Sequence, residues 1–383
     1  MFPLCSITRC PAALPPQHGA GMMPSPSYKP KLPMSLPTLL PSFSARLIAW
    51  QRTDGRHDLP WQVTDPYAVW VSEIMLQQTQ VRSVLDYYPR FMAMFPTVAD
   101  LAHADLDHVL AHWSGLGYYS RPRNLHKAAQ QVMAEHGGQL PATAAQLQTL
   151  SGIGRSTAAA IAAFSFGERA AILDGNVRRV LARAFGVAGW AGNKAVEAQL
   201  WTLAEDLLPA AADIVPYTQG LMDLGSLICT RSKPRCSSCP LHADCVAYTE
   251  QRVSELPTPR PAKAIPTRET VFVLVWCGEE VWLERRPPSG IWGGLWSLPA
   301  CDRVADVPTW LDQHGLTQAT LLPPQPPQTH VFTHFRLHFT PQRVEVDTKP
   351  PHVEETAWFS RQAALQLGLP APIRRLLEVP EPR

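Results

Sequence analysis

The chain of 383 residues lacks any apolar run of the roughly 20 residues that a spanning helix needs, which excludes a helical membrane protein. It also lacks a dominant charge. Lys and Arg number 34 against 32 Asp and Glu, a net +2. A protein that coats nucleic acid by bulk charge is thereby excluded, while a local basic patch is not. Apolar residues are not scarce: at 45% they are too many for a chain disordered throughout. Cysteine is sparse and uneven. Cys5, Cys10, Cys277 and Cys301 stand alone, whereas Cys229, Cys236, Cys239 and Cys245 share one short stretch. A secreted disulfide framework spreads its pairs through a small domain, so this clustering points to one metal site in a reducing compartment.

Proline is plentiful, at 39 residues, and it marks borders. Residues 1–41 are rich in Pro and Ser with little periodicity, and are expected to form a disordered N-terminal extension or to lie upstream of the natural start (Met22, Met23 or Met34). No export signal is visible there, because prolines interrupt each short apolar run; the expected compartment is a bacterial cytoplasm, at the nucleoid. From 42 to 250 the periodicity is helical. Ser42 is expected to cap a first helix carrying Phe43, Leu47, Ile48 and Trp50, and Asp65-Pro66 to open a second with Val69, Trp70, Ile74 and Met75. Further helices are expected near 98–112, 122–136, 144–149, 155–165, 175–186, 194–208 and 216–228, with no period-2 strand among them. Residues 251–268 read as a Pro-rich basic linker. Beyond it, 269–380 turns to strands near 270–276, 281–284, 335–339 and 355–359, with helices near 308–314 and 361–367. The expected fold is thus multi-domain: an all-α unit followed by a smaller α+β unit.

Three constellations carry chemistry. The clustered cysteines have gaps of six, two and five residues, which suits four thiolates around zinc or an iron–sulfur cluster; spacing does not decide between them. Arg231, Lys233 and Arg235 lie in the first gap and suit a phosphate backbone, or simply a solvated loop. Leu150-Ser-Gly-Ile-Gly154, followed by Arg155, Ser156 and Thr157, is a tight turn between helices; the amides at the next helix start suit an anionic phosphate, the helix–hairpin–helix pattern of sequence-independent DNA binding. Leu173-Asp-Gly-Asn-Val177 then opens another helix, with Asp174 at its N-cap. Finally, Glu73 sits among Trp70, Ile74, Met75 and Leu76 with no cation at helical spacing, so desolvation should raise its pKa toward that of a general acid. The polar run Gln77-Gln78-Thr79 follows at the same helix end.

In this order, Ser72-Glu-Ile-Met-Leu-Gln-Gln-Thr79, Gly115-Leu-Gly-Tyr-Tyr119, Ser151-Gly-Ile-Gly154, Leu173-Asp-Gly-Asn176 and the cysteine loop resemble the helix–hairpin–helix base-excision glycosylases, most closely the MutY-type adenine DNA glycosylases, over residues 44–380. The resemblance implies a 4Fe–4S cluster on the four cysteines and a monomer acting on double-stranded DNA with 8-oxoguanine·A or G·A mispairs. It implies that Glu73 protonates adenine and activates water, Asp174 stabilises the sugar cation and Asn176 supports Asp174. Gln78 and Tyr118 would enter the duplex as adenine is flipped out, Gly152, Gly154, Arg155, Ser156, Arg231 and Lys233 would meet DNA, and Trp61 and Asp223 would border the adenine. In endonuclease III-like relatives the Ser156 position is a lysine that forms an imine with the sugar; a serine cannot, so a monofunctional enzyme is expected. Glu284-Arg-Arg-Pro-Pro-Ser-Gly-Ile-Trp-Gly-Gly-Leu-Trp296 resembles the start of a Nudix-like domain. The paired acids of the Nudix metal box are missing, and only Asp302, Asp306 and Asp312 are scattered there, so pyrophosphate hydrolysis is not expected. Phe332, Thr333 and His334 would instead read 8-oxoguanine. The competing readings are a sister glycosylase for another lesion and a DNA-binding iron–sulfur protein without catalysis.

Overall fold

The computed structural model describes residues 36–261, 264–316, 318–350 and 354–379. The extension expected to be disordered, with Cys5 and Cys10, lies outside them up to residue 35. The first unit is built from α1 (Leu36–Asp54), α2 (Pro66–Leu76), α3 (Val81–Met94), α4 (Val98–His103), α5 (Leu106–His112), α6 (Ser120–Glu135), α7 (Ala144–Leu147), α8 (Arg155–Phe166), α9 (Gly175–Ala184), α10 (Lys194–Asp206) and α11 (Ile214–Asp223). Among the described residues no helix is long and apolar enough to cross a membrane.

Sequence patterning placed most of these helices and erred in four places. Ser42 is not an N-cap: α1 begins at Leu36, so the boundary at 41/42 cuts through it. Proline misled the reading, because Pro41 lies inside α1, past its first turn. Helix α3 was not anticipated because Pro89 interrupts it, yet Val84, Tyr88 and Phe91 form its buried stripe. The expected 98–112 helix is two. Thr97 and Asp100 form a capping box at the first, and the Asp105 carboxylate accepts from the Asp107 amide to start the second. The last expected helix stops at Asp223 and continues as a π turn, Leu224–Ile228, that delivers the chain to Cys229.

Two cores flank α8. One gathers Trp70, Phe91, Trp113 and Leu125. The other gathers Leu47, Leu181, Tyr217 and Leu221. Helix α8 feeds Ala158, Ile161 and Ala162 into the first and Ala159, Ala160 and Ala163 into the second. A helix buried on both faces can be approached closely from both sides only if its side chains are small, which accounts for its alanine run. That sandwich brings α2 and the start of α9 to opposite sides of the N-terminus of α8.

The second unit is a mixed sheet of β1 (Thr267–Cys277), β2 (Glu280–Arg285), β3 (Trp296–Ser297), β4 (Ala300–Cys301), β5 (Ala319–Leu321), β6 (Gln328–Val331), β7 (Arg336–Val346) and β8 (Thr356–Ser360). Its main path runs β3-β2-β1-β7-β5, with β1 and β7 parallel and the other pairings antiparallel. Residues 271–276 of β1 are buried without alternation because helices cover both faces: Ala371–Glu378 on one, Val307–Gln313 on the other. Strand β7 runs well past the expected 335–339, since Pro341 lies inside it rather than ending it. The helix Ala371–Glu378 was not anticipated.

The units meet through hydrogen bonds and through Leu110 of α5, which lies against Gly294 and Gly368. Asp107 of α5 accepts from Arg285 and from the Trp296 indole at 3.3 Å. The Leu369 carbonyl accepts from Ser114 Oγ and Tyr119 Oη, each at 3.2 Å. Arg123 of α6 donates to the Gly293 carbonyl.

Enlarging α8 should separate the two cores. Ala160→Leu is expected to lower stability by about 1–3 kcal/mol in urea unfolding; an unchanged midpoint would show that the faces of α8 tolerate more volume than this packing allows.

Candidate active site

A cleft of about 1200 Å³ opens between the two helical cores, and Glu73, Gln77, Gln78, Ser156, Asp174, Asn176 and Trp61 all line it. Their convergence follows from local caps. Asp65 accepts from the amides of Tyr67 (3.3 Å) and Ala68 (3.2 Å), starting α2 so that Glu73 faces inward. Asp174 accepts from the Val177 amide at 2.8 Å, starting α9. Ser156 Oγ accepts from the Leu173 amide at 2.9 Å and so pins the peptide just before Asp174.

The two carboxyl groups share the cleft but not an environment. Among the described residues no group donates a hydrogen bond to Glu73; burial first, then the Asp174 charge, push its pKa from 4.5 up to about 8. Burial also raises Asp174, but the Val177 and Asn176 amides, the Arg179 charge and the Asn176 side chain pull in the opposite direction. Asn176 Nδ2 stands 3.4 Å from Asp174, and Arg179 donates to Asn176 Oδ1 at 2.8 Å. Both carboxyls are thus raised, with hydrogen bonds and the Arg179 charge offsetting the burial of Asp174. Unequal environments of this kind are how one carboxyl of a pair comes to serve as an acid and the other as an anionic stabiliser.

The hairpin before α8 is as expected. Gly152 has a left-handed φ of +78°, and a side chain there would run into Asn124 Cβ at 2.6 Å. Gly154 starts α8 without any side-chain cap, which leaves first-turn amides for an anion. Arg155 is exposed, stacked over Trp201 at 3.7 Å and paired with Glu205. One expectation needs correction. Asp223 does not border the cleft. It is fully buried behind the wall, where it accepts from Arg56 N (2.9 Å), Arg56 Nε (2.6 Å) and Gln219 Nε2 (2.9 Å). A carboxylate without solvent needs such donors, and Arg56, which does line the cleft, supplies them. Trp61 is both wall and core, packed edge-on to Tyr88.

A second depression of about 150 Å³ adjoins the cleft at Gln77 and Gln78, and Tyr118, Arg121 and Gly152 line it. Gln78 and Tyr118 both adopt left-handed backbone (φ 56° and 50°), and Tyr118 is an exposed aromatic. Sequence reasoning missed Arg56, Arg121 and Arg179. Only Arg179 had a readable signal, its i, i+3 spacing from Asn176 on α9.

Cys229, Cys236, Cys239 and Cys245 are free and half-buried. Burial, opposed by the Leu241 amide, and then the three other thiols push Cys239 up to about 12, so the four are electrostatic neighbours. Arg183 reaches Cys229 Sγ at 3.4 Å and the Thr230 carbonyl at 2.7 Å. Arg231 and Lys233 are exposed on the same loop. Far along the chain, Phe332–Phe335 form the turn between β6 and β7. The two phenylalanine rings stack at 4.2 Å and leave Thr333 and His334 exposed at its tip. Asp302 and Asp312 are exposed, and Asp306 is held by Arg303 at 2.9 Å.

The HhH-GPD superfamily base excision DNA repair protein model matches residues 71–206, and the NUDIX domain model matches residues 270–379. The adenine DNA glycosylase of Buchnera aphidicola subsp. Acyrthosiphon pisum (strain APS) is 35% identical over 344 residues, covering 88% of this chain and 97% of that one. The chain belongs to the adenine DNA glycosylase family. The Rattus norvegicus adenine DNA glycosylase is 34% identical, covering 81% of this chain and 72% of the rat protein, and the Homo sapiens one is 36% identical, covering 73% and 60%. This glycosylase is thus a base-excision DNA repair enzyme that removes adenine, and the cleft with its two carboxyls is where such chemistry fits.

The raised Glu73 makes a stability prediction. Between 4.5 and about 8 the unfolded chain has ionised Glu73 while the folded chain keeps it protonated, so this group's contribution falls as pH rises through that window and levels off above it. Glu73→Gln removes the dependence. Its melting temperature should gain on the wild type steadily from pH 5 to pH 8; a constant gap would mean that Glu73 titrates normally.

Proposed function

We propose that the glycosylase flips adenine out of 8-oxoguanine·A or G·A mispairs and hydrolyses its N-glycosidic bond without cutting the strand, acting as a monomer at the bacterial nucleoid. The observation that carries the reading is the pair of carboxyls on one cleft with opposed environments. Protonated Glu73 delivers its proton to the imidazole ring of adenine as the bond to the sugar breaks. Asp174 faces the resulting oxocarbenium carbon, held ionised by Asn176 and the α9 amides. Water adds to that carbon and gives its proton to the Glu73 carboxylate, which restores the acid. This is the two-carboxyl logic of glycoside hydrolysis.

Ser156 supports a monofunctional course, since a hydroxyl engaged by the Leu173 amide offers no amine for an imine. Gln78 and Tyr118, beside the cleft, are suited to fill the space that the base vacates. The exposed Thr333 and His334 on the β6–β7 turn are suited to read 8-oxoguanine, and Gly152, Gly154, Arg231 and Lys233 to hold phosphates. Four half-buried thiols close enough to influence one another suit a 4Fe–4S cluster, in which each iron takes one cysteine; when bound, the cluster would close the loop from Cys229 to Cys245.

Single-turnover assays on end-labelled duplexes test the reading. Breaks at adenine opposite 8-oxoguanine or guanine should appear only after hot alkali. The kcat/KM profile should fall above about pH 8 as Glu73 loses its proton, and Glu73→Gln should bind the mispair without excising. Breaks without alkali would overturn the monofunctional course, and excision at thymine or at 8-oxoguanine would overturn the substrate. Iron and sulfide analysis of purified protein should give about four of each per chain; zinc in their place would overturn the cluster.

A further inference from the structure

Arg121 is buried, and among the described residues no carboxylate faces it. Burial lowers its pKa to about 10. Its guanidinium instead donates to carbonyls of two separate chain segments. Nη1 reaches Ile74 (3.0 Å), Met75 (2.7 Å) and Gln77 (2.6 Å), and Nη2 reaches Leu116 and Gly117 (both 3.1 Å). The Gln77 peptide is the one from which φ of Gln78 pivots, and the Gly117 peptide plays the same part for Tyr118. The Arg121 amide also donates to the Tyr118 carbonyl at 2.9 Å, and the guanidinium lies 5.5 Å from the Tyr118 ring centroid. Left-handed backbone is strained at a non-glycine residue, and here two such residues line one depression at the edge of the cleft.

We infer that Arg121 is a positioning residue that holds Gln78 and Tyr118 in their strained conformations as one preformed wedge, so that base extrusion does not wait for the two segments to order. A planar fork with several donors can bind both segments at once; a lysine, with one compact ammonium, cannot. The inference rests on the reading of Gln78 and Tyr118 as the groups that enter the duplex.

The test uses the full chain and a duplex with 2-aminopurine opposite guanine, whose fluorescence rises when the base unstacks. Arg121→Lys should slow that rise about ten- to hundredfold, the loss expected for charge-assisted hydrogen bonds, and slow single-turnover excision of adenine opposite guanine by the same factor. The alkaline limb of the pH profile should stay in place. A normal fluorescence rise with slowed excision would place Arg121 in the chemistry, through the Glu73 helix, and overturn the proposal; so would no change in either. Gln78→Ala and Tyr118→Ala run alongside: if both extrude at the wild-type rate, the wedge reading itself falls, whatever Arg121→Lys does. Should Arg121→Lys fail to fold, hydrogen exchange of the wild type decides. Segments 74–80 and 113–121 should open together with one denaturant dependence, and separate openings would overturn the shared brace.

Discussion

Two carboxyls facing one cleft cannot both be ionised without water or donors to compensate, and the surrounding structure is arranged to settle which one is. Glu73 projects from an apolar helix and receives no hydrogen bond; Asp174 caps another helix and receives several. The difference is produced by backbone placement more than by nearby charge. It depends on α8 being thin enough for α2 and α9 to face each other, and on Ser156 fixing the peptide that precedes Asp174. The alanine run, the hairpin and the two caps therefore belong to one arrangement whose outcome is two carboxyls of unlike surroundings on one cleft.

Much of that arrangement could be read in advance. The apolar neighbours of Glu73 already implied desolvation, and the Asp-Gly-Asn sequence already implied a capped helix. Local signals, with partners three or four residues away, were legible because their physics is local. What stayed hidden depends on distant partners. Arg56 and Arg121 come from a loop and a helix start with no distinctive periodicity, and only the fold shows which carbonyls or carboxylates they meet. Asp223 illustrates the same limit from the other side: a carboxylate in a helical stripe can line a cavity or lie behind its wall, and spacing does not separate the two. Proline misled three times in the same direction. Pro41, Pro89 and Pro341 each lie inside an element that sequence reading shortened or missed.

The junction between the two units sits close to the site. Tyr118 stands exposed beside the cleft, while the next residue, Tyr119, together with Ser114, donates to the Leu369 carbonyl of the second unit. Consecutive side chains of one short turn thus face solvent on one side and the neighbouring unit on the other.

The parallel pairing of β1 with β7 places the start of the two strands together, with Thr267 opposite Arg336 and the Arg336 amide donating to the Pro266 carbonyl at 2.9 Å. The chain enters the second unit at that corner, and the β6–β7 turn with Thr333 and His334 leaves from it. A change of length or stiffness in the connecting segment would therefore act on the aim of that turn with the shortest possible lever, while the remainder of the sheet stayed as it is. Insertions before β1 would thus move the turn as a unit without altering any of its residues.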